Sequence, residues 1–179
     1  MRVQTGRITL ELIVGDLTRQ SDLEAIVNAA NNNLTMGGGV CGAIFRRAGI
    51  HEMREACAKL APIPTGSAVI TEGFSLPNRY VIHAVGPIYR VDEPSEEFLR
   101  RAWNNALMLA EEHNIRSLGF PAISTGIYGY PVGEAAQVAL REIISLAPYL
   151  WSLKLVRIVL HKLEDYDLFA QTLSSLLSS

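Results

Sequence analysis

The sequence is poor in cysteine and histidine, the residues that most often build metal centres and disulfide frameworks. It has two cysteines, Cys41 and Cys57, and four histidines that are scattered along the chain. This spacing forms neither a Cys-x-x-Cys metal motif nor a set of paired cysteines. We therefore expect no structural metal site.

Charge is also scarce and nearly balanced. Charged residues make up 19% of the 179 residues, and 16 Lys and Arg against 18 Asp and Glu leave a net charge of −2. Proteins that follow a nucleic-acid backbone usually carry a strongly basic surface. The composition therefore argues against a nucleic-acid partner and leaves a small polar ligand open.

Long apolar runs are missing as well. The longest weakly polar stretch, Ser145 to Leu153, contains Pro148 and is much shorter than the roughly 20 apolar residues that span a bilayer. Arg2 and Arg7 are not followed by an apolar block with a small-residue cleavage site. We expect no membrane partner and a cytoplasmic location.

The length fits one domain over residues 1–179, with 49% hydrophobic residues to form its core. Short Val, Ile and Leu runs predict strands that alternate with segments of helical periodicity. The predicted strands are Ile8–Val14, Ala25–Val27, Ala68–Thr71, Tyr80–Val85, Ser117–Phe120 and Leu153–Leu160. Helices are predicted near Val40, over Ser95–His113, after Pro131 and from Tyr166 to Leu176. This order predicts an α/β fold.

Three unusual loops each follow a predicted strand: Gly15–Thr18, Asn28–Val40 and Ser124–Gly129. In α/β sheets, ligands bind at the carboxyl ends of the strands, where loops and helix N-termini offer backbone N–H groups. We therefore expect the three loops to converge on one crevice.

Two of these loops are rich in glycine. Gly37-Gly38-Gly39 precedes a helix and could curl its N–H groups around a phosphate, although three glycines also fit a plain tight turn. Ser124–Pro131 is the second loop, and together the two could hold a diphosphate. Tyr128 offers an aromatic face to a sugar or base, or else anchors its own loop.

Several blocks of the sequence together resemble the macrodomain family, which binds ADP-ribose, and are most similar to its MacroD-type branch. The blocks are Gly15-Asp16-Leu17-Thr18, Ile26–Asn31, Gly37–Val40, Val81–Pro87, Pro121–Gly129 and Tyr166-Asp167. The resemblance covers nearly the whole chain. It implies a three-layer α/β/α sandwich around a central mixed, mostly parallel sheet.

The resemblance also implies roles for individual residues. Asp16 would accept a hydrogen bond from the adenine amine, and Asn31 would bind the distal ribose and take part in catalysis, while Asn28 ties the loop to itself. His161 stands where relatives often place an aromatic ring against the adenine. The implied ligand-binding set is Asp16, Leu17, Asn31, Gly37, Gly38, Gly39, Val40, Ser124, Thr125, Gly126, Ile127, Tyr128 and His161. No cofactor or metal is implied.

Two positions depart from the hydrolytic members that the sequence resembles. Those members carry an aspartate after the glycine loop and a histidine four residues later, whereas this chain has Cys41 and Phe45. Loss of the carboxylate weakens the activation of water. The main expectation is therefore a protein that binds ADP-ribose, free or attached to proteins, with at most slow hydrolysis.

Other functions stay open at this point. One is a hydrolase that removes ADP-ribose from proteins or the acetyl group from O-acetyl-ADP-ribose. Cys41 could serve as a nucleophile near a helix N-terminus, or simply fill space under the loop. RNA binding through the adenine pocket is a third reading, which the net charge disfavours.

Overall fold

The computed structural model describes residues 1–179 and contains seven strands in a single sheet. They are β1 (Arg2–Thr5), β2 (Ile8–Val14), β3 (Ala25–Ala29), β4 (Ala68–Glu72), β5 (Tyr80–Ala84), β6 (Ser117–Phe120) and β7 (Leu155–Leu160). Their order is β1-β2-β7-β6-β3-β5-β4. The inner five strands are parallel, and the two edge strands, β1 and β4, are antiparallel to their neighbours. The predicted mixed, mostly parallel sheet is confirmed.

Helices cover both faces of this sheet. They are α1 (Gly39–Ala48), α2 (Ile50–Ala58), α3 (Ser95–Glu112), α4 (Val132–Leu146) and α5 (Leu163–Leu177), with short 3-10 turns at Leu17–Arg19 and Ala147–Tyr149. Helices α1 and α2 lie on one face, whereas α3, α4 and α5 pack side by side on the other. This is the predicted three-layer sandwich. Strand β1 and helix α2 are additional to the elements that the sequence predicts.

The core is divided by the sheet into two clusters, of 31 buried residues on the α3–α5 side and 15 on the α1–α2 side. Strand β3 contributes to both, because Ala25 and Val27 face the larger cluster and Ile26 faces the smaller one. A continuous apolar run is what a strand buried on both faces requires. In the larger cluster Trp103 of α3 stacks on Phe120 of β6, with ring centres 4.2 Å apart.

The parallel strands all end at the same edge of the sheet, which brings the loops after β2, β3, β5, β6 and β7 together there. None of the helices combines the length and the apolar character needed to cross a membrane.

Candidate functional site

A cavity of about 300 Å³ opens at the carboxyl ends of the central strands. Ten of the residues singled out in the sequence line it: Asn31, Gly37, Gly38, Gly39, Val40, Cys41, Ser124, Gly126, Ile127 and Tyr128. The other wall residues lie within the sequence blocks that resemble the family but were not in the predicted ligand-binding set: Ala29, Ala30, Gly86, Pro121, Ala122 and Ile123.

Four residues of the predicted ligand set lie outside the cavity wall: Asp16, Leu17, Thr125 and His161. Leu17 is buried in the α1–α2 cluster, and His161 is exposed just after β7. Thr125 uses both its N–H and its hydroxyl on the carbonyl of Ala122, so it shapes the loop instead of facing the cavity.

The glycine loop presents free N–H groups at the start of α1. The N–H groups of Gly38, Gly39 and Val40 have no acceptor within the protein, and all three residues line the cavity. Gly39 has a φ of +54°, which a side chain would disfavour. Free N–H groups and the positive end of the helix dipole together favour an anion here.

The second loop, which also lines the cavity, offers a similar set of donors. Hydrogen bonds from Gly129 N–H to the Gly126 carbonyl (3.0 Å) and from Tyr130 N–H to the Ser124 carbonyl (2.9 Å) close the loop. The N–H groups of Gly126, Ile127 and Tyr128 have no acceptor within the protein. Two sets of residues with unpaired N–H groups therefore line one cavity.

Side chains around the cavity add apolar and polar contacts but no charge. No Asp, Glu, Lys, Arg or His lines the wall. The Ile127 side chain is 99% exposed, and Tyr128 is half-buried, with burial raising the pKa of its hydroxyl. The Ser124 hydroxyl is buried and has no hydrogen-bond partner. The groups in this cavity that can bind an anion are therefore backbone N–H groups and neutral hydroxyls.

Asn31 holds its own loop together at the edge of the cavity. Its Oδ1 accepts hydrogen bonds from the N–H (3.1 Å) and hydroxyl (3.2 Å) of Thr35, and its Nδ2 donates to the Thr35 carbonyl at 3.0 Å. One Nδ2 hydrogen stays free for a ligand hydroxyl.

Asp16 lies two residues after the end of β2 and is the N-cap of the Leu17–Arg19 turn. Its Oδ1 accepts hydrogen bonds from the Thr18 N–H (2.9 Å) and hydroxyl (2.6 Å), and the hydroxyl bond is the main reason that the pKa of Asp16 is lowered. Oδ2 lies 3.3 Å from Arg19 Nε, and the Asp16 side chain is 50% exposed. The carboxylate is thus ionised, held in place and open to solvent.

Asn28 does not tie its own loop together, as the sequence led us to expect. Its side chain does not fold back on its own loop; Nδ2 lies 3.0 Å from His83 Nδ1 on β5 and 3.6 Å from Cys41 Sγ on α1. His83 is fully buried, and burial lowers its pKa to about 4. The Thr71 hydroxyl donates to the Glu72 carbonyl and accepts from His83 Nε2 at 3.0 Å, which fits a neutral ring with its proton on Nε2.

Phe45 takes no part in the cavity. It is 1% exposed and packs in the α1–α2 cluster. Position 45 therefore belongs to the core of this protein, and only Cys41 of the altered pair reaches the cavity wall. Nowhere does the structure bring together three His, Cys, Asp or Glu side chains that could hold a metal ion.

Comparison with known proteins places these features in a family. The family model for the Macro domain matches residues 27–139. A macro domain-containing protein of Cupriavidus necator is 44% identical over 173 residues, covering 92% of this chain and 97% of its own length. A Salmonella typhimurium protein named O-acetyl-ADP-ribose deacetylase is 49% identical over 139 residues, covering 75% of this chain and 76% of its own.

Solved structures agree with the sequence relatives. A glycine-to-valine variant of the Oceanobacillus iheyensis macrodomain, determined with ADP-ribose, matches 100% of this chain and 99% of its own with a TM-score of 0.95 and 40% identity. The sheet order, the two donor-rich loops and these matches agree with the resemblance read from the sequence. The chain belongs to the macrodomain family.

Proposed function

We propose that the protein binds ADP-ribose, either free or as a mono-ADP-ribosyl group on proteins, in the cavity between the two glycine loops. The observation that carries this proposal is that two segments with unpaired N–H groups line one cavity, Gly38–Val40 and Gly126–Tyr128. A diphosphate needs several donors on both sides, and backbone donors supply them without a metal. The related O. iheyensis protein, solved with ADP-ribose, supports this assignment.

We assign the adenine and the distal ribose of the ligand to residues at the ends of the cavity. Asp16, ionised and open to solvent, accepts a hydrogen bond from the adenine amine, with Leu17 and His161 on the same side. Asn31 and Tyr128 contact the distal ribose, the former through its free Nδ2 hydrogen. The domain extends over residues 1–179, since both core clusters pack on one sheet.

Slow hydrolysis accompanies binding in this proposal. The Salmonella relative's name favours a deacetylase or hydrolase as the alternative main role. Against that role, no carboxylate or imidazole, the groups that most often act as general bases on water, lines the cavity. Two free buried cysteines fit a reducing compartment, which supports a cytoplasmic location.

The binding mode is tested by following the backbone amide resonances while ADP-ribose is added. We expect the largest shifts at the two loops, with Gly39 and Ile127 as markers, and smaller ones near Asp16. Tyr149 and Trp151, which precede β7 and lie away from the cavity wall, serve as internal controls. Shifts that cluster elsewhere would reject the proposed site.

A further inference from the structure

Cys41 presents its sulfur at the junction of the cavity and helix α1. It is the third residue of that helix and lines the cavity while being 6% exposed. The sulfur accepts a hydrogen bond from the Gly37 N–H at 3.4 Å, and Asn28 Nδ2 lies 3.6 Å from it. The thiol in turn donates to the Thr35 carbonyl at 3.7 Å, and these contacts hold the sulfur in the wall of the cavity.

A second feature, the hydroxyl of Ser124, indicates that a polar molecule binds beside Cys41. Ser124 lines the same cavity and is 6% exposed, and its buried hydroxyl has no hydrogen-bond partner. Its backbone has a φ of +69°, an uncommon conformation for a residue other than glycine. A buried hydroxyl without a partner loses free energy unless a ligand atom satisfies it. Cys41 therefore lines the same cavity as a residue whose buried hydroxyl lacks a hydrogen-bond partner.

The other cysteine provides a natural contrast. Cys57, on α2, is 1% exposed and does not line the cavity, and burial raises its pKa to about 11. Its sulfur lies 3.8 Å from His83 Nε2, inside the core. A buried thiol of this kind reacts slowly. The chain thus contains one thiol at a ligand cavity and one inert thiol.

We propose that Cys41 is a modification site for low-molecular-weight disulfides, and that its mixed disulfide closes the ligand cavity. The Cys41 thiolate attacks one sulfur of the disulfide, a new S–S bond forms at Cys41, and the original S–S bond breaks. The leaving thiolate takes up the proton that Cys41 lost. The small disulfide is the oxidant, and a thiol reductant reverses the step.

The mixed disulfide closes the cavity because of where Cys41 lies. The added group must extend from Cys41 Sγ into a cavity of about 300 Å³, between the Gly38–Val40 and Gly126–Tyr128 donors. It therefore occupies the space proposed for the diphosphate and the distal ribose. This consequence rests on the proposed function, whereas the reactivity of Cys41 does not.

The test treats the intact protein with bis(2-hydroxyethyl) disulfide and follows each cysteine by peptide mass. Cys41 is expected to react at least about tenfold faster than Cys57, because only Cys41 lines the cavity and burial raises the pKa of Cys57. With ADP-ribose present at about ten times its Kd, the Cys41 rate should fall about tenfold, since only the free protein reacts. Equal rates at the two cysteines would overturn the proposal.

Binding of the modified protein is the second readout. Calorimetry should show a loss of ADP-ribose affinity after modification and its recovery after reduction. Cys57→Ser should keep this sensitivity, and Cys41→Ser should bind equally well with and without reagent. Unchanged affinity with Cys41 fully modified would contradict the closure. If the untreated protein binds no ADP-ribose, the proposed function fails, while the ratio of the two labelling rates still decides the modification site.

Discussion

Asn28 Nδ2 lies 3.0 Å from His83 Nδ1, and this bond joins two fully buried side chains at paired positions of the neighbouring strands β3 and β5. Asn28 also reaches Cys41 in the cavity wall. The polar interior of the protein is thereby connected to its ligand cavity. The stability of the folded protein depends on His83 remaining neutral.

Acid should destabilise the protein through His83. Its pKa is about 4 in the folded protein and 6.5 in the unfolded chain, so the unfolded state binds the proton more readily. The free energy of unfolding should fall as the pH drops from 6.5 to 4, by about 3 kcal/mol in total. Urea titrations across this range check the prediction.

The matched control is an exposed histidine. His51→Gln, whose side chain is 86% exposed, should keep the full pH dependence, whereas His83→Gln should lose most of it and be less stable at pH 7. The same pH dependence in wild type and His83→Gln would rule out His83 as its source.

Asp16→Ala should weaken ADP-ribose binding without unfolding the protein. A hydrogen bond to the adenine amine contributes about 1–2 kcal/mol, which is about a 5- to 30-fold loss of affinity. Because Asp16 also binds Thr18, the control is Thr18→Val, which removes one internal hydrogen bond and keeps the carboxylate. Calorimetry showing equal losses in both variants would assign Asp16 a purely structural role.

Two glycines that both lie in helices make a matched pair for the diphosphate loop. A Cβ on Gly42 of α1 would lie 2.6 Å from the Gly37 carbonyl oxygen, so Gly42→Ala must move the glycine loop. A Cβ on Gly133 of α4 meets nothing within 4 Å, and Gly133→Ala should stabilise the protein by up to about 1 kcal/mol.

The two variants should therefore differ in binding. Displacing one charge-assisted N–H contact to the diphosphate costs about 1.5–3 kcal/mol, which predicts a loss of affinity of about 10- to 150-fold for Gly42→Ala and none for Gly133→Ala. Titration with ADP-ribose measures both. Wild-type affinity in a folded Gly42→Ala protein would show that this loop does not hold the ligand.

Cys41→Asp should accelerate hydrolysis. A carboxylate at this position would meet the donors that now face the sulfur, Gly37 N–H and Asn28 Nδ2, and could orient or deprotonate water. The expected gain is about a hundredfold in single-turnover release of ADP-ribose from a glutamate-modified protein. Phe45 is left unchanged, since a histidine there would be buried in the core.

Cys41→Asn provides the control, because it has the same shape as the aspartate but no base. It should be as slow as the natural protein. A fast natural protein that Cys41→Asn inactivates would instead indicate a cysteine mechanism.

The sequence predicts the sheet well because most inner strands contain a short run of Val, Ile or Leu, such as Val81-Ile82 in β5. Strand β1 escapes prediction because Arg2–Thr5 has little apolar content and is ordered by pairing with β2. Helix α2 buries only Met53 and Cys57, too few residues for a visible periodicity.

The candidate site likewise has parts that can be predicted from the sequence and parts that cannot. The glycine loops can be located from local composition, because their conformation depends on residues that are neighbours in the chain. The link from Cys41 through Asn28 to His83 joins residues up to 55 positions apart, so only the folded sheet reveals it. The exclusion of Phe45 from the cavity likewise depends on how α1 packs against the core.

Calorimetric titration with ADP-ribose, ADP, AMP and NAD tests the central claim most directly. The account predicts micromolar affinity for ADP-ribose, about −8 kcal/mol, as expected for a largely preformed site. AMP should bind more weakly because it lacks the second phosphate and the distal ribose, and NAD more weakly because nicotinamide adds bulk beside Asn31 and Tyr128. Equal affinity for AMP and ADP-ribose, or no binding of either, would contradict the assignment of the two loops to the diphosphate.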